Sequence, residues 1–281
     1  MSTKPVWFIT GCSTGFGREL ARILLEREYR VVVTARDPAT VADLVAGRET
    51  QALVQRLDVT DRAQITAAVA AAEAHFGGID VLVNNAGIGY FGAVEESEEA
   101  EVRRMFEINV FGLAWMTQAV LPIMRRQRSG RIMNVASIAG IRGNPGIGFY
   151  NASKFAVVGL SEALAREVEP LGIKVTVIAP SGFRTDWAGR SANEAPHRLP
   201  EYAPTAGKNI RIIREASGKQ PGDPVRAAEA IIHVAEIDDP PMTLLLGQGA
   251  LRGARRKLEE LEADIDAWEA TTAGADVPPT A

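Results

Sequence analysis

The sequence has little of the chemistry that builds disulfides or metal sites. Among its 281 residues there is one cysteine, Cys12, so no disulfide can form within the chain and nothing indicates an oxidising compartment. The three histidines, His75, His197 and His233, are too widely spaced to predict a cluster of metal ligands. We therefore expect no bound metal.

Strong positive charge and long apolar runs are also missing. The formal net charge is −4, and lysines and arginines are scattered among acidic neighbours, without the basic stripe typical of nucleic-acid-binding proteins. No apolar run approaches the length of a membrane span, and the first residues, MSTKPVWFITG, lack the apolar segment of a secretory signal. We expect a cytoplasmic protein that binds neither nucleic acid nor membrane.

The sequence does have a regular alternation of β-branched runs and amphipathic stretches. Segments such as GRELARILLER and DRAQITAAVAAAEAHFG, with apolar residues at three- and four-residue intervals, predict helices between the runs. This alternation predicts an α/β fold with a mainly parallel sheet and helices on both faces. The seven strand candidates are VWFIT (6–10), RVVVTA (30–35), ALVQRLD (52–58), IDVLVN (79–84), GRIMNVAS (130–137), IKVTVIAP (173–180) and MTLLLG (242–247).

No fixed-period repeat or Gly/Ser linker divides the chain, so one domain is predicted over residues 1–250. Within it, residues 183–223 are polar and contain four prolines but no long strand, which favours a lid over a pocket. Residues 251–281 begin as a charged amphipathic stretch and end in small residues and prolines. This pattern predicts a peripheral helix followed by a disordered tail.

A glycine-rich segment, TGCSTGFGRELARILL, directly follows the first strand candidate. Its glycines at positions 11, 15 and 17 allow a sharp turn and close approach to a pyrophosphate, while the following helix directs free N–H groups at the anion. Loop packing alone is the alternative explanation. A literal GxGxxG fingerprint, GIGYFG at residues 87–92, follows the fourth strand candidate instead, and we interpret it as a flexible loop at a strand end.

The end of the second strand candidate, VVVTARDP, bears on which dinucleotide would bind. An acidic residue there would bond a ribose 2′-hydroxyl, whereas an arginine would accommodate a 2′-phosphate. Ala35 occupies the place of the acid and Arg36 follows it, so NADP is favoured over NAD. Asp37 could instead pair with Arg36 or start the turn before Pro38.

A tyrosine and a lysine four residues apart open another apolar segment, FYNASKFAVVGL (149–160). In a helix this spacing places Tyr150 and Lys154 on one face, so the ammonium would lower the pKa of the phenol and make it a general acid or base. A solvated helix face is the commoner explanation for such a pair, and the other motifs must decide between the two.

In their order along the chain, these motifs resemble the short-chain dehydrogenase/reductase family, in its ordinary single-domain branch, over about residues 5–250. The set comprises TGCSTGFG, LDVT with Asp58, NNAG at 84–87, INVFG with Asn109, Ser137 after the fifth strand candidate, and Tyr150 with Lys154. The resemblance implies a Rossmann-type doubly wound sheet and hydride transfer between a nicotinamide and a CH–OH group.

The resemblance also implies roles for individual residues. Tyr150 would be the general acid/base, and Lys154 would hold the nicotinamide ribose and lower the pKa of Tyr150. Ser137 would position the substrate carbonyl, and Asn109 would kink its helix and hold a water of a proton relay. The cofactor-binding set would be Gly11, Ser13, Thr14, Gly15, Phe16, Gly17, Arg36, Asp58, Val59, Asn85, Ala86, Gly87, Tyr150, Lys154, Pro180, Gly182 and Thr185.

Two of these positions leave alternatives open, and one further position departs from the family pattern. Asn85 could support backbone at a strand end without touching a ligand, and Ser137 could simply cap a loop. The family commonly has Pro-Gly after the sixth strand, whereas here Ser181 occupies the place of the glycine. The path of that loop is therefore not predicted.

The candidate substrate residues Ile138, Phe149, Phe183 and Trp187 are apolar, although core packing would also explain them. They favour a hydrophobic alcohol, ketone or aldehyde and disfavour sugars or charged acids. The predicted function is an NADP(H)-dependent alcohol dehydrogenase or carbonyl reductase. The alternatives are a non-catalytic dinucleotide-binding sensor and an extended-branch epimerase or dehydratase, whose GxxGxxG loop and larger C-terminal domain this chain lacks.

Self-association is also expected. Members of the family usually form homodimers or homotetramers, and the resemblance assigns the contact to the helices carrying FGLAWMTQAVLPIM and FAVVGLSEALAREVE. Both stretches are apolar enough to form such a contact.

Overall fold

The structure is a computed structural model that describes residues 4–189 and 191–277, and its centre is a seven-stranded sheet. The strands of the described chain are β1 (Val6–Ile9), β2 (Arg30–Ala35), β3 (Ala52–Arg56), β4 (Val81–Asn84), β5 (Gly89–Phe91), β6 (Gly130–Val135), β7 (Ile173–Pro180), β8 (Ala192–Glu194) and β9 (Thr243–Leu246). The central sheet has the order β3-β2-β1-β4-β6-β7-β9, and all of its neighbouring strands are parallel. The strand order reverses beside β1, which is where ligands bind at the carboxyl edge of such sheets.

The helices cover both faces of this sheet. Their bounds in the described residues are α1 (Gly15–Glu26), α2 (Ala42–Val45), α3 (Arg62–Phe76), α4 (Glu99–Phe106), α5 (Leu113–Gln127), α6 (Gly148–Val168), α7 (Lys208–Glu215), α8 (Pro224–Glu236) and α9 (Gln248–Ala273). A π-helical turn, Glu107–Gly112, joins α4 to α5 without a break.

The pleat of the strands divides the core between the two faces. Trp7 and Ile9 of β1 pack in one apolar cluster with α1 and α8, whereas Val6 and Phe8 pack in another with α3, α5 and α6. All four side chains are buried. Burial on both faces explains why the strands are continuous apolar runs, and the predicted class, a Rossmann-type doubly wound parallel sheet, is confirmed.

Local sequence sets the ends of the elements. Each of the seven predicted strands is present with ends that lie within two residues of the prediction. At the start of α3, the Asp61 carboxylate accepts hydrogen bonds from the N–H groups of Ala63 and Gln64 at 2.9 and 3.1 Å. At its end, Gly77 adopts a φ of 84°, which glycine tolerates.

The GIGYFG segment is more ordered than its sequence predicts. Gly89–Phe91 form β5, which pairs in parallel with β8 in a separate two-stranded sheet. The prediction of a flexible loop is wrong for these residues. Tyr90 and Phe91 are buried in an apolar cluster with residues of the 183–223 segment, a contact that the local sequence does not indicate.

The continuous helix Glu99–Gln127, formed by α4, the π-helical turn and α5, is long and apolar enough to cross a membrane by length and composition. Its most apolar 18-residue window has a mean hydropathy of 1.2 and is 39% buried. The expectation that no run approaches this length does not hold for this helix. Met116, Val120 and Met124 are buried in the core beneath the sheet, so core packing accounts for much of its apolar character.

The C-terminal helix α9 starts on the body of the protein and then projects from it. Ala250 and Ala254 are buried, whereas every residue from 258 to 273 is exposed. The division into residues 1–250 and 251–281 stays a prediction. The end of the predicted tail (278–281), residues 1–3 of the predicted domain and position 190 of the predicted lid lie outside the described residues.

Candidate active site

The glycine-rich loop connects β1 to α1 through conformations that glycine allows. Gly11 and Gly15 have φ values of 73° and 60°, in the left-handed region that disfavours side chains. A Cβ on Gly17 would overlap the Gly11 carbonyl oxygen and lie 2.5 Å from Asn85 Nδ2. Two glycines therefore turn the loop, and the third allows it to pack against the end of β4.

The end of β4 supports this loop through hydrogen bonds. Thr10 Oγ1 accepts bonds from the N–H groups of Asn85 and Ala86, both at 2.9 Å. Asn85 Nδ2 donates to the carbonyls of Thr10 and Gly11, also at 2.9 Å. The Asn85 amide therefore supports backbone at the end of a strand, which is one of the two roles considered for it. Asn85 also lines the cavity that contains the rest of the predicted site.

The N-terminus of α1 can hold an anion. Thr14 is the N-cap residue and makes no side-chain capping bond, and the first turn carries no acidic residue. The first N–H groups of the helix are therefore free of a side-chain acceptor, and the helix dipole adds positive potential there. This cradle fits a pyrophosphate.

Replacing Gly17 with alanine should disrupt the loop. The added methyl group would overlap backbone, so we expect a loss of about 1–3 kcal/mol in the free energy of unfolding and weaker dinucleotide binding. Thermal unfolding and fluorescence titration measure the two effects. The matched control is Gly159→Ala in α6, where a Cβ meets no atom within 4 Å and should stabilise the helix by up to about 1 kcal/mol. Equal behaviour of the two variants would contradict the packing role of Gly17.

Arg36 follows β2, and its guanidinium forms no hydrogen bond or ion pair with any described residue. It is exposed, lines the cavity, and has no ionic partner among the described residues. The Asp37 carboxylate accepts a hydrogen bond from the Ala39 N–H at 3.0 Å and caps the following turn, so Asp37 starts the turn and does not pair with Arg36. Nearby Arg18 is already bound to the Asp43 carboxylate. Arg36 is thus available to an anionic ligand.

Asp58 and Val59 follow β3 and line the same cavity. Asp58 Oδ1 accepts hydrogen bonds from the N–H and the hydroxyl of Thr60 at 3.0 and 2.7 Å, which fixes the orientation of the carboxylate. A Cβ on Gly112 would lie 2.7 Å from the Val59 side chain, so the π-helical turn packs closely behind Val59.

The loop after β7 accommodates a serine where the family has glycine. The Ser181 N–H and hydroxyl both donate to the Leu246 carbonyl, at 3.0 and 3.3 Å. Cβ atoms on Gly247 and Gly249 would lie 2.6 and 3.0 Å from the Ser181 side chain, so these two glycines provide its space. Pro180, Gly182 and Thr185 line the cavity despite the substitution.

Ser137, Tyr150 and Lys154 line one wall of the cavity, and all three are buried. Ser137 follows β6 and accepts a hydrogen bond from the Ala139 N–H at 3.1 Å. It therefore also caps the loop, which is the structural role considered for it in the sequence. Tyr150 and Lys154 lie in the first turns of α6. Lys154 Nζ donates to the Val135 carbonyl at 2.8 Å and lies 5.7 Å from the centre of the Tyr150 ring.

Burial controls the proton affinities of this group. It raises the pKa of the Tyr150 hydroxyl well above its usual range, and a hydrogen bond with Ser137 opposes only part of that rise. It also lowers the pKa of Lys154 to about 8. The Tyr/Lys spacing predicts a lowered pKa for Tyr150, and that prediction is wrong for this structure. The cost of placing a phenolate in a buried site exceeds the effect of the ammonium.

The same burial makes the stability of the protein depend on pH. Because the folded-state pKa of Lys154, about 8, lies below its usual 10.5, the unfolded chain binds the proton more tightly. The buried charge therefore costs stability below pH 8, and the cost disappears as pH rises through 10.5. We expect the difference in unfolding free energy between wild type and Lys154→Met to change by about 3 kcal/mol between pH 7 and pH 11, with methionine favoured at pH 7.

Urea unfolding of both proteins at the two pH values measures this change, because the other titrating groups are common to both proteins. The Lys154→Met variant also loses the hydrogen bond from Lys154 to the Val135 carbonyl. That bond is strongest when Lys154 is charged, so its loss destabilises the variant more at pH 7 than at pH 11. A stability difference that stays constant between pH 7 and pH 11 would show that folding does not lower the pKa of Lys154.

Asn109 lies in the π-helical turn and behind the cavity wall. Its Oδ1 accepts a hydrogen bond from the Ile88 N–H and its Nδ2 donates to the Ile88 carbonyl, both at 2.9 Å. Nδ2 also lies 3.2 Å from Ser153 Oγ. The amide therefore links the segment after β4 to α6. Its role in a proton relay stays a prediction.

A cavity of about 870 Å³ collects most of the predicted site. Three predicted residues do not line it. Gly17 packs behind the glycine-rich loop, Asn109 behind the segment after β4, and Phe149 against the apolar cluster that contains Phe91. The predicted residues that do line it are Gly11, Ser13, Thr14, Gly15, Phe16, Arg36, Asp58, Val59, Asn85, Ala86, Gly87, Ser137, Ile138, Tyr150, Lys154, Pro180, Gly182, Phe183, Thr185 and Trp187.

The 183–223 segment lines the end of the cavity beside Tyr150. The ring centre of Trp187 lies 4.8 Å from that of Tyr150 and 5.5 Å from that of Phe91. Four polar side chains at this end belong to no sequence motif, because they come from separate elements. These residues are Arg104, Asn144, Asn193 and Asn209.

Arg214 of α7 holds this segment through its backbone. Its guanidinium donates to the carbonyls of Ala188, Gly189 and Ala192 at 2.8 to 2.9 Å. The guanidinium carbon also lies 4.5 Å from the ring centre of Phe91. One side chain thus connects α7, the turn around Trp187 and the β5–β8 pair.

Comparisons with known proteins identify the family. The family model for short chain dehydrogenases matches residues 5–195. The chain is 39% identical to an oxidoreductase of Botryotinia fuckeliana over 265 residues, and the aligned residues cover 94% of this chain and 96% of that relative. It is also 39% identical to a 3-ketodihydrosphingosine reductase of Bacteroides thetaiotaomicron over 240 residues, and the aligned residues cover 85% of this chain and 86% of that relative. The chain therefore belongs to the short-chain dehydrogenase family of oxidoreductases, as the resemblance of its motifs predicts.

Solved structures agree with this assignment. A short-chain dehydrogenase of Streptomyces avermitilis has a TM-score of 0.90 and 39% identity, covering 97% of this chain and 100% of that one. A family member from Burkholderia phymatum in complex with NAD has a TM-score of 0.80 and 28% identity, covering 93% and 95%. The protein ElxO with NADP bound has a TM-score of 0.73 and 27% identity, covering 89% and 100%.

Proposed function

We propose that the protein is an NADP(H)-dependent oxidoreductase that interconverts a hydrophobic secondary alcohol and its ketone, or an alcohol and its aldehyde. The observation that carries this proposal is that Ser137, Tyr150 and Lys154 line the same cavity as the glycine-rich loop. The structural relatives with NAD and NADP support a nicotinamide dinucleotide as the cofactor. The relative that reduces 3-ketodihydrosphingosine supports a ketone as the substrate.

The residues of the cavity fit a dinucleotide. The glycine-rich loop and the N-terminus of α1 would hold the pyrophosphate, Asp58 and Val59 would border the adenine, and Lys154 would hold the nicotinamide ribose. When bound, the cofactor supplies or accepts a hydride. Every other step of the reaction falls to side chains of this chain.

Tyr150 moves the proton in this proposal. During reduction its hydroxyl donates a proton to the substrate oxygen as the carbonyl carbon gains the hydride, and during oxidation its oxygen takes that proton from the alcohol. The Ser137 hydroxyl would donate a hydrogen bond to the same oxygen and stabilise its developing negative charge. Burial raises the pKa of Tyr150, so the residue carries at neutral pH the proton that it would donate during reduction.

The preference for NADP rests on Arg36. In the described part of the chain, the carboxylate that follows β2 belongs to Asp37, which caps the next turn and does not line the cavity where a ribose hydroxyl would bind. Arg36 lines the cavity, is exposed, and can form a bidentate contact with a 2′-phosphate. Because relatives of this fold bind either dinucleotide, the local arginine supports the choice.

The hydrophobic substrate rests on the lining near Tyr150. Ile138, Ile147 and Trp187 line the cavity there, and Ile212 and Ile213 of α7 also line it. Phe183 lines the cavity as well, but its ring packs against Phe16 beside the glycine-rich loop. An apolar lining with a few polar groups is typical of sites for medium-sized apolar ligands. Four polar side chains at the same end, Arg104, Asn144, Asn193 and Asn209, would bind polar groups carried by a mainly apolar substrate.

Self-association through α5, α6 and the π-helical turn forms part of the proposal, as a homodimer or homotetramer. Phe111 is exposed and stacks on Trp115 with ring centres 6.1 Å apart, and Phe155 and Leu160 of α6 are also exposed. Exposed aromatic side chains on neighbouring helices support such an interface.

The test is turnover with a panel of ketones and aldehydes. Oxidation of NADPH, followed by absorbance, should be fastest with cyclic or long-chain apolar ketones and absent with sugars. Oxidation of NADH should be slower with every substrate. Tight binding of NADPH without turnover on any member of the panel, or on the matching alcohols, would replace this proposal with the dinucleotide-binding sensor.

A further inference from the structure

The turn between β5 and α4 holds a buried carboxylate that the proposed reaction does not use. The Glu96 side chain is 3% exposed. Its Oε2 accepts hydrogen bonds from the Ala93 N–H at 2.9 Å and from the Arg198 guanidinium at 2.8 Å. Its Oε1 accepts one from the Leu199 N–H at 2.8 Å. Ala93 belongs to the same turn, whereas Arg198 and Leu199 belong to the 183–223 segment, so the carboxylate joins that segment to the body of the protein.

These hydrogen bonds keep the carboxylate charged in spite of its burial. Burial raises the pKa of Glu96, but the bonds from Ala93, Leu199 and Arg198 outweigh that effect, and the pKa lies below its ordinary value. A buried charge is costly to leave without its partners. The contacts of Glu96 therefore favour one position of the 183–223 segment over any other in which Arg198 and Leu199 are separated from it.

Arg198 connects this carboxylate to the cavity wall. Its guanidinium also pairs with Glu194 of β8 at 2.6 Å, and the other carboxylate oxygen of Glu194 lies 3.2 Å from Arg214 Nε. Arg214 in turn donates to the main-chain carbonyls at positions 188 and 189, directly after Trp187. Alternating charges thus run from Glu96 in the turn after β5 to the backbone beside Trp187.

The 183–223 segment supplies apolar lining to the cavity but none of the groups proposed to move the proton. Trp187, Ile212 and Ile213 line the cavity from this segment. Ser137 lies in the loop after β6, and Tyr150 lies in α6. A change in how the segment is held therefore alters contacts with the apolar body of a substrate and leaves the proton donor in place.

We propose that Glu96 is a positioning residue for substrate binding, because its carboxylate holds the 183–223 segment in the position that completes the apolar wall. This role rests on the proposed oxidoreductase function, whose substrate would contact that wall. Exposed contacts of the same segment, such as the hydrogen bond from Asn193 Nδ2 to the Glu101 carboxylate, compete with water and hold it less firmly. Contacts between the wall and an apolar substrate are made before and in the transition state alike, so their loss raises KM more than it lowers kcat.

Replacing Glu96 with glutamine tests the proposal. The amide keeps one acceptor oxygen, but its NH2 group faces a backbone or guanidinium donor in either orientation. Hydrogen exchange of the backbone amides in residues 192–203, followed by mass spectrometry, should become about tenfold faster, whereas exchange in α6 should not change because the opening is local. KM for the best ketone of the panel should rise about tenfold, while kcat changes less than about threefold and the affinity for NADPH stays the same.

Further variants separate the buried contact from a general loss of charge. Arg198→Met removes the cation and should also speed exchange in residues 192–203. Adding it to Glu96→Gln should have less effect than in the wild type, because both substitutions break the same pair. The matched control is Glu99→Gln in α4, whose carboxylate is 78% exposed and pairs with Arg103 of the same helix. It makes the same change of acid to amide and should leave exchange and KM unchanged.

Three results would overturn the proposal. The first is that residues 192–203 of Glu96→Gln exchange at the wild-type rate. The second is that they exchange faster while KM stays unchanged, so that the segment is held without positioning the wall. The third is that α6 exchanges faster to the same extent, which would indicate a global loss of stability. If the wild type turns over no ketone or alcohol, the oxidoreductase proposal fails separately, and hydrogen exchange alone then decides whether Glu96 holds the segment.

Discussion

Replacing Tyr150 with phenylalanine should lower kcat for ketone reduction by about 10²- to 10⁴-fold, the usual contribution of a general acid. The substitution removes one oxygen from a buried side chain and leaves its ring against Trp187. Binding of NADPH should change little, because the glycine-rich loop and Arg36 are untouched. Steady-state kinetics and fluorescence titration of the same preparation measure both quantities.

Tyr90→Phe is the matched control. The Tyr90 ring is also buried, and its hydroxyl accepts a hydrogen bond from the Glu98 N–H at 3.0 Å, but the residue does not line the cavity. This variant should keep kcat near the wild-type value despite a modest loss of stability. If Tyr150→Phe keeps most of its activity, the proton comes from another group and the proposed mechanism is wrong.

Replacing Arg36 with alanine should weaken NADPH binding by about 10- to 100-fold. A charged hydrogen bond to a phosphate contributes about 1.5–3 kcal/mol, and Arg36 has no other partner to satisfy in the described chain. Binding of NADH should stay within a small factor of wild type, because NADH lacks the 2′-phosphate. Titration of both reduced dinucleotides into both proteins gives the change in selectivity directly.

Arg22→Ala controls for the loss of one positive charge. Arg22 lies on α1 and pairs with Glu19 and Glu26 at 2.9 and 2.8 Å, away from the cavity. This variant should bind both dinucleotides as the wild type does. Equal losses for NADPH and NADH in Arg36→Ala would mean that the arginine acts on the shared part of the cofactor, and NADH selectivity in the wild type would indicate an NAD enzyme.

The sheet could be predicted from sequence because its strands are buried on both faces. Burial of that kind leaves a continuous apolar run for each strand, and short amphipathic helices separate the runs. The pairing of β5 with β8 could not be predicted. Residues Gly89–Phe91 form a strand only because a segment about a hundred residues later packs beside them, and no local pattern records that contact.

The site residues that belong to a sequence motif could be predicted. Properties that depend on how deeply a side chain is buried, or on residues from distant segments, could not. Ser137, Tyr150 and Lys154 meet at the cavity as their order along the chain predicts. The direction of the Tyr150 pKa shift depends on how deeply the ring is buried, which residue spacing does not report. Likewise, Gly247 and Gly249 provide the space for the Ser181 side chain. These glycines lie more than sixty residues later in the chain, so the sequence of the β7 loop does not indicate the contact.

The attachment made by Arg214 affects how the substrate range of this protein can change. Its guanidinium bonds main-chain carbonyls at positions 188, 189 and 192, and every type of amino acid carries such a carbonyl. Side chains beside those positions, including the cavity-facing Trp187, can therefore be exchanged without removing these bonds. Selection for a new alcohol or ketone can alter the shape of the cavity wall while the same arginine keeps that wall in place.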